Sequence, residues 1–582
     1  MKVKNMKDGN HPGFWKMNNV SMIFAGFFLI ASIIYMIIGV DAASGAAQSE
    51  NGYLLSGRVY DPQGNALALV RVTISEGPSS AILAEVESQE NGEWTILLED
   101  LPSDSLTLSI ERPHFKEYKI QLETEIVQRL RQAGAIRIDD VTLERKITAA
   151  FWTATVIFVL VLLLIAFEKL HSTTAALTGL SAIFIVNFVG GTITPDLFIF
   201  DFERAISFIN WDVIFLVMAM MIIIAIIEST GIFQWMAFQA YRLSRGHSWL
   251  LALILMLITA LASALLDNFT TMLLMAPISL QIGLALGINP LALIIPEVLA
   301  SNIGGITTLI GTPTNILIGA YAGIGFSDFL KFQTVGVVIA LLGMAGFVLY
   351  FYRAEWRKHT GGISPRLYEV LKENARLEDP SSLWKASLVF ILVIVGFIVG
   401  EKYHVNVAVT ALVGATVLLI WLKPDIHAMI KAVDWTTLVF FMALFIVVGA
   451  IQEVGLLAFI ATGMARLIGN NLELGVLLIV FGVGTLSTAI ANIPLTASML
   501  PIIKFLSKSI PGANNQVLYY ALSMGAAMGG NGLLIGAEAN LVTAGITDQA
   551  GTPISFKEFL KIGLPVTYIT LATGFLWLLL RF

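Results

Sequence analysis

The feature that most constrains this chain is a glycine-broken apolar segment that occurs twice. Ser301-Asn302-Ile303-Gly304-Gly305 runs on to Leu309-Ile310-Gly311-Thr312-Pro313-Thr314-Asn315. A shift of 225 (529 − 304) brings Gly529-Gly530-Asn531 onto the first part and Leu534-Ile535-Gly536-Ala537-Glu538-Ala539-Asn540 onto the second. Each copy is too apolar for a surface loop and too rich in glycine, proline and asparagine for a plain helix. A broken helix inside a membrane, present twice, is the sequence pointer to a binding site for a transported solute.

The surroundings are membrane material. Uncharged apolar runs recur, such as 147–167 and 213–227, and 56% of the 582 residues are hydrophobic against 13% charged. A soluble fold cannot bury that share, so the chain is a polytopic α-helical membrane protein in contact with lipid. A net charge of −6 gives no ground for a nucleic-acid partner. Cysteine is absent, which removes disulfides, thiol nucleophiles and cysteine-held metals. No zinc-binding His-Glu-x-x-His, nucleophile elbow or P-loop occurs, so nothing points to an enzyme or an ATP-driven pump. The energy source is expected to be an ion gradient, with sodium or protons as coupling ion and no other cofactor.

Residues 1–48 carry Lys2, Lys4, Lys7 and Lys16 ahead of an apolar run at 21–40. That run is longer than a signal peptide's core, which favours a retained first transmembrane helix over a cleaved leader. The lysines then stay in the cytoplasm and the following segment lies outside the cell membrane. Residues 49–147 alternate polar and apolar in short runs (70–74, 94–98) split by turns such as Asp61-Pro62-Gln63-Gly64-Asn65. This predicts a small extracytoplasmic β-sandwich. Gly57-Arg58-Val59-Tyr60-Asp61 with Asn91-Gly92-Glu93-Trp94 resembles transthyretin-type, carboxypeptidase-regulatory-like modules, for which a structural cap without ligand is the simplest reading.

From 148 to the end the chain is a duplication: repeat 1 over 148–353, a cytoplasmic linker over 354–383, repeat 2 over 384–582. Asn210-Trp211 matches Asp434-Trp435, Asn268 matches Asn492 and Pro277 matches Pro501, all at a shift of 224 (492 − 268). Each copy reads as two spans (149–168 and 172–194; 384–400 and 405–422), then a third (212–228; 435–452). A short amphipathic piece (231–246; 455–469), a hairpin-like stretch at Asp267-Asn268 or Ala491-Asn492, the broken helix and a last span (333–352; 564–581) follow. Five crossings per copy force the second to enter from the opposite side, an inverted repeat. Arg353, Arg357, Arg366, Lys372 and Arg376 of the linker fall inside on this topology.

An ionisable residue deep in an apolar run is a functional candidate by default. Asp267, Glu297 and Glu538 qualify, as cation ligands or proton carriers, although Glu297 also suits a cap near a membrane face. Asn302, Asn315, Asn531 and Asn540 are candidates too; the competing reading is that they satisfy the broken backbone. Glu401-Lys402-Tyr403-His404 and its counterpart Glu168-Lys169-Leu170-His171 fall at span ends and read as interfacial anchors.

Leu266-Asp267-Asn268-Phe269-Thr270-Thr271, Glu297-Val298, Ser301 through Asn315, Gly529 through Ile546 and Ser555-Phe556-Lys557-Glu558-Phe559 together resemble the P-protein family. That family belongs to the ion-transporter superfamily, beside arsenite-efflux permeases, NhaD-type antiporters and divalent-anion/sodium symporters; the resemblance covers 148–582. It implies a homodimer, re-entrant hairpins at the two hairpin stretches and elevator-type alternating access. By similarity, one sodium would sit at Asp267, Asn268, Gly311 and Thr312, and a second at Ala491, Asn492, Gly536 and Ala537. Gly304, Gly529 and Glu538 complete the candidate cation shell. The solute would lie between Asn268 and Asn492, within reach of Thr270, Thr271, Thr312, Thr314, Asn315, Ala537, Glu538 and Asn540.

Two departures stand out. The family has Asp before Asn in both hairpins, where this chain has Ala491, and Ser in the second break where it has Glu538. Glu538 is therefore expected to restore the charge lost at Ala491. The expected function is secondary active transport of a small anionic solute, with a sodium/proton antiporter or other inorganic-ion exchanger as the alternative.

Overall fold

The computed structural model describes residues 52–62, 64–76, 82–101, 106–166, 170–357, 368–369, 372–373 and 375–582. The helix expected over 21–40 lies outside them.

Alternation builds the β-module. The strands are β1 (Tyr53–Tyr60), β2 (Arg71–Ser75), β3 (Ile82–Glu87), β4 (Glu93–Leu98), β5 (Leu106–Glu111), β6 (Tyr118–Leu122), β7 (Ala135–Arg137) and β8 (Val141–Thr142), with helix α1 (Thr124–Ala133) between β6 and β7. One sheet runs β4-β1-β7 with β8 also paired to β1; the other runs β3-β2-β5-β6. Every second residue of β2 and β4, including Val72, Ile74, Trp94 and Ile96, enters one shared core. Gly57 and Trp94 of the sequence motif are cross-strand partners. A Cβ at Gly57 would lie 2.8 Å from the Trp94 ring, so the indole occupies the space glycine leaves.

The helical part repeats its element order. The first copy holds α2 (Ala149–Ala166), α3 (Ser172–Ile193), α4 (Phe202–Ser207), α5 (Trp211–Glu228), α6 (Ile232–Ser244), α7 (Ser248–Leu265), α8 (Asn268–Leu286), α9 (Leu291–Gly304), α10 (Pro313–Ala322) and α11 (Phe326–Phe351). The second holds α12 (Pro380–Lys402), α13 (Val407–Leu422), α14 (Ile426–Ala432), α15 (Trp435–Glu453), α16 (Leu456–Ile468), α17 (Leu472–Ser487), α18 (Asn492–Ser509), α19 (Val517–Gly529), α20 (Glu538–Gln549) and α21 (Phe556–Arg581). Nine helices among the described residues are long and apolar enough to cross a membrane.

Three spans begin earlier than hydropathy alone indicates: α11, α12 and α21. Their first turns are polar and are fixed by caps. Asp379 accepts from the Ser381 and Ser382 N–H groups at 3.0 Å each, with Pro380 at the first helical position. Ser555 Oγ accepts from Glu558 N at 3.2 Å. Glu401, expected as an interfacial anchor, accepts from Ser327 N at 3.2 Å and packs on Gly325 at the start of α11. Its counterparts Glu168 and Lys169 lie outside the described residues.

Both helices break where expected, after α9 and after α19. The glycines there are needed for space rather than for unusual dihedrals: Gly304 and Gly305 have φ of −60° and −58°. A Cβ on Gly304 would collide with the Ala260 backbone of α7, and one on Gly529 would lie 2.8 Å from Gly484 Cα of α17. These are equivalent contacts in the two copies. The repeats then interlock: α20 packs on α8, and α10 packs on α18. Each copy's helix after the break therefore lies against the second arm of the other copy's hairpin.

Candidate functional site

The interlock brings four helix starts to one small cavity. Asp267 caps α8, Pro313 opens α10, Asp434 caps α15 and Glu538 opens α20, and all four line it. Its volume is about 30 Å³, room for a water or a stripped cation, since one water needs roughly 10–15 Å³ by this measure. The remaining lining is mostly apolar, from α5 (Val217, Met220, Ile224) and Ile310. No Lys, Arg or His among the described residues lines it.

The two aspartates are held rigidly. Asp267 Oδ1 accepts from Thr270 N at 2.8 Å and Oδ2 from Thr270 Oγ1 at 2.6 Å. Asp434 accepts from Thr436 N at 3.0 Å, Thr437 N at 3.2 Å and Thr437 Oγ1 at 2.5 Å. Each carboxylate thus sits at the positive end of a helix, which stabilises negative charge. Among the described residues no three His, Cys, Asp or Glu side chains converge as a polydentate metal site would require.

All three acids belong to one of two equivalent positions. The counterpart of Asp267 is Ala491, that of Asp434 is Asn210, and that of Glu538 is Pro313. Glu538 therefore faces Asp267 in one cavity, which Ala491 does not line. Glu538 thus adds a carboxylate beside Asp267.

The asparagines divide by task. Asn315 Nδ2 donates to the carbonyls of Ile306 at 3.0 Å and Thr308 at 2.8 Å; Asn540 Nδ2 donates to those of Gly530 at 2.8 Å and Leu533 at 3.1 Å. Each staples the break of its own copy and satisfies carbonyls that the helix has released. Asn302 bridges the copies: it accepts from Asn268 at 2.7 Å and donates to Asn531 at 2.8 Å and Asn540 at 3.0 Å. Thr312 and Thr314 are buried and bonded to each other at 2.8 Å. Thr271 Oγ1 bonds back to the Asp267 carbonyl at 2.8 Å. Gly304, Gly311, Gly529, Gly536, Asn492 and Ala537 do not line the cavity. Neither does Glu297, which is fully buried in α9.

Asp434 escaped the sequence reading as a site residue. An aspartate before an apolar run signals a helix cap, and it is one; the repeat match to Asn210 was the further signal, a charge present in one copy only. A second cavity of about 290 Å³ adjoins the first. Ile316 of α10 lines both, and Asp212, Glu401 and His404 edge the larger one.

Residues 162–525 match the family described as citrate transporter, CitMHS. The chain belongs to this family. It is 36% identical over 434 residues to a 46 kDa membrane protein of Mycobacterium leprae, covering 74% of this chain and 98% of that one. It is 30% identical over 592 residues to the P protein of Sus scrofa, covering 88% of this chain and 68% of that one. The 88% of this chain exceeds what residues 148–582 amount to, so the likeness to P protein reaches into the β-strands. Among solved structures, MtrF of Neisseria gonorrhoeae aligns with a TM-score of 0.48 at 13% identity, over 74% of this chain and 94% of that one. This CitMHS-family chain is thus an integral membrane transporter and a relative of P protein.

Proposed function

We propose that the chain is a secondary active transporter in which a cation, sodium or a proton, occupies the cavity of Asp267, Asp434 and Glu538 and thereby admits a small anion of the di- or tricarboxylate class. The observation that carries this is that Asp267, Asp434 and Glu538 all line one cavity at four helix starts, with no Lys, Arg or His lining it among the described residues. Ionised, the carboxylates cancel the positive helix ends. Neutralised by a cation or protons, they leave those ends free to attract an anion, so anion binding depends on cation binding. The family's description supports the carboxylate class.

The cavity is too small for such an anion, which supports a cycle in which α8, α10 and α20 separate from α5 and α15. Two inverted copies with re-entrant hairpins moving as an elevator, within a homodimer in the plasma membrane and with the N-terminus in the cytoplasm, is the cycle that the P-protein resemblance supports. Asn268, Thr271, Thr312 and Asn492 then flank the solute seat. The neutral counterparts Ala491, Asn210 and Pro313 support one carboxylate-bound cation per cycle. The fully buried Glu297 is a second candidate proton carrier.

The lack of a basic lining residue among the described residues also favours a second reading, sodium/proton exchange. Proteoliposomes with an internal pH dye, an imposed sodium gradient and added citrate separate the two. Citrate uptake that requires sodium or protons, and is lost in Glu538→Gln, is expected. Sodium-driven proton flux without any anion would replace symport by antiport.

A further inference from the structure

The β-module and the far end of α15 are joined by a buried charge cluster that the transport reading leaves unused. Glu453 is the last residue of α15, the helix whose other end carries Asp434. Its carboxylate accepts from Arg112 Nη2 at 2.5 Å and Arg204 Nη2 at 3.4 Å, and its backbone carbonyl accepts from Arg145 Nη1 at 3.1 Å. Arg112 follows β5 and Arg145 follows β8, and both stack on Phe115, at 5.5 and 4.7 Å. The side chains of Arg112 and Glu453 are only 8% and 10% exposed, so solvent screens the pair little and removing one partner strands the other. His114 extends the joint, with Nδ1 3.2 Å from Thr148 Oγ1 and Nε2 3.0 Å from the Ile199 carbonyl oxygen. Gly455, at φ +94°, makes room: a Cβ there would lie 2.8 Å from the Arg145 guanidinium.

A helix moves as a stiff rod, and at 1.5 Å per residue α15 is about 28 Å long. A shift imposed at Glu453 therefore appears at Asp434. We propose that the β-module is a clamp that fixes α15 through Glu453, and so sets how far Asp434 stands from Asp267 and Glu538. Glu453 and Arg112 are then positioning residues for the cation site. This rests on the reading of that cavity as the cation site.

The chain has no cysteine, so introduced thiols label cleanly. In the full-length protein in proteoliposomes, nitroxides at Asn65→Cys and Lys508→Cys report docking, because these side chains meet at 2.8 Å between the module and α18. Nitroxides at Leu273→Cys and Thr436→Cys report the position of α15 against α8. Glu453→Gln and Arg112→Ala are expected to broaden both distance distributions, and Glu453→Asp neither. The sodium concentration that half-saturates citrate uptake should rise about five-fold or more in the first two variants, with the maximal rate changing less. Docking lost with the α15–α8 distance unchanged would overturn the clamp, and so would two distributions that stay narrow. If the unaltered protein shows no sodium dependence, the cavity reading fails while the two label pairs still decide the clamp.

Discussion

Asp267 spends both carboxylate oxygens on Thr270, which fixes its rotamer and leaves its outer lone pairs turned to the cavity. Thr270→Val keeps the backbone N–H bond and removes the hydroxyl bond to Oδ2. Hydrogen bonds to charged groups contribute about 1.5–3 kcal/mol to stability, so the melting temperature should fall modestly, and the loosened Asp267 rotamer should raise the sodium concentration that half-saturates transport. Half-saturation by sodium in proteoliposomes, beside the melting temperature, checks this. An unchanged half-saturation would mean that the Thr270 hydroxyl does not set the ligand geometry. Asp267 and Glu538 were legible in the sequence because a carboxylate inside an apolar run has few structural explanations. Asp434 was not, because a capping aspartate has an ordinary one. Asn302 was legible as a polar residue but not as a bridge, since its partners Asn531 and Asn540 come from the other copy, more than two hundred residues away.

At the scale of elements, the two breaks are held by the same pair of devices: a glycine against a neighbouring backbone and an asparagine stapling freed carbonyls. Asn315→Ala strands the carbonyls of Ile306 and Thr308, at about 1–3 kcal/mol for each group left unpaired. Its melting temperature should fall clearly below that of the parent. Gly529→Ala pushes a methyl against the Gly484 backbone, which cannot rotate away as a side chain can. Overpacking of this kind costs about 1–3 kcal/mol. A Gly529→Ala variant as stable as the parent would show that α17 and α19 part freely. The order of spans, the amphipathic α6 and α16 and the positions of the breaks could all be read from period and composition. The early starts of α11, α12 and α21 could not, because apolar runs mark the buried length of a helix while caps such as Asp379 and Ser555 mark its true start.

The whole molecule joins a β-module to a duplicated helical body, and their joint is expected to depend on pH. Burial is the main cause that lowers the His114 pKa from its ordinary 6.5, against a raising contribution from the Ile199 carbonyl; Arg112 and Arg145 lower it further and Glu453 raises it. The undocked module therefore binds more protons than the docked one just below pH 6.5. Docking should be full above that value and weaken as pH falls through the lowered one. The Asn65→Cys/Lys508→Cys nitroxide distances measured from pH 8 to 5 check it, and His114→Gln should flatten the response. The duplication was plain in the sequence, but the side on which its charges gather was not, because pairing across the repeats is a tertiary fact. That lopsidedness has an electrical consequence. A chain built twice from one plan, yet charged at only one of two matching places, contains an uncharged control of its own site. On the inverted-repeat topology proposed above, moving the acids to 491, 210 and 313 while neutralising the originals should hand the ion to the opposite leaflet's half of the molecule and reverse which way a membrane voltage favours its binding.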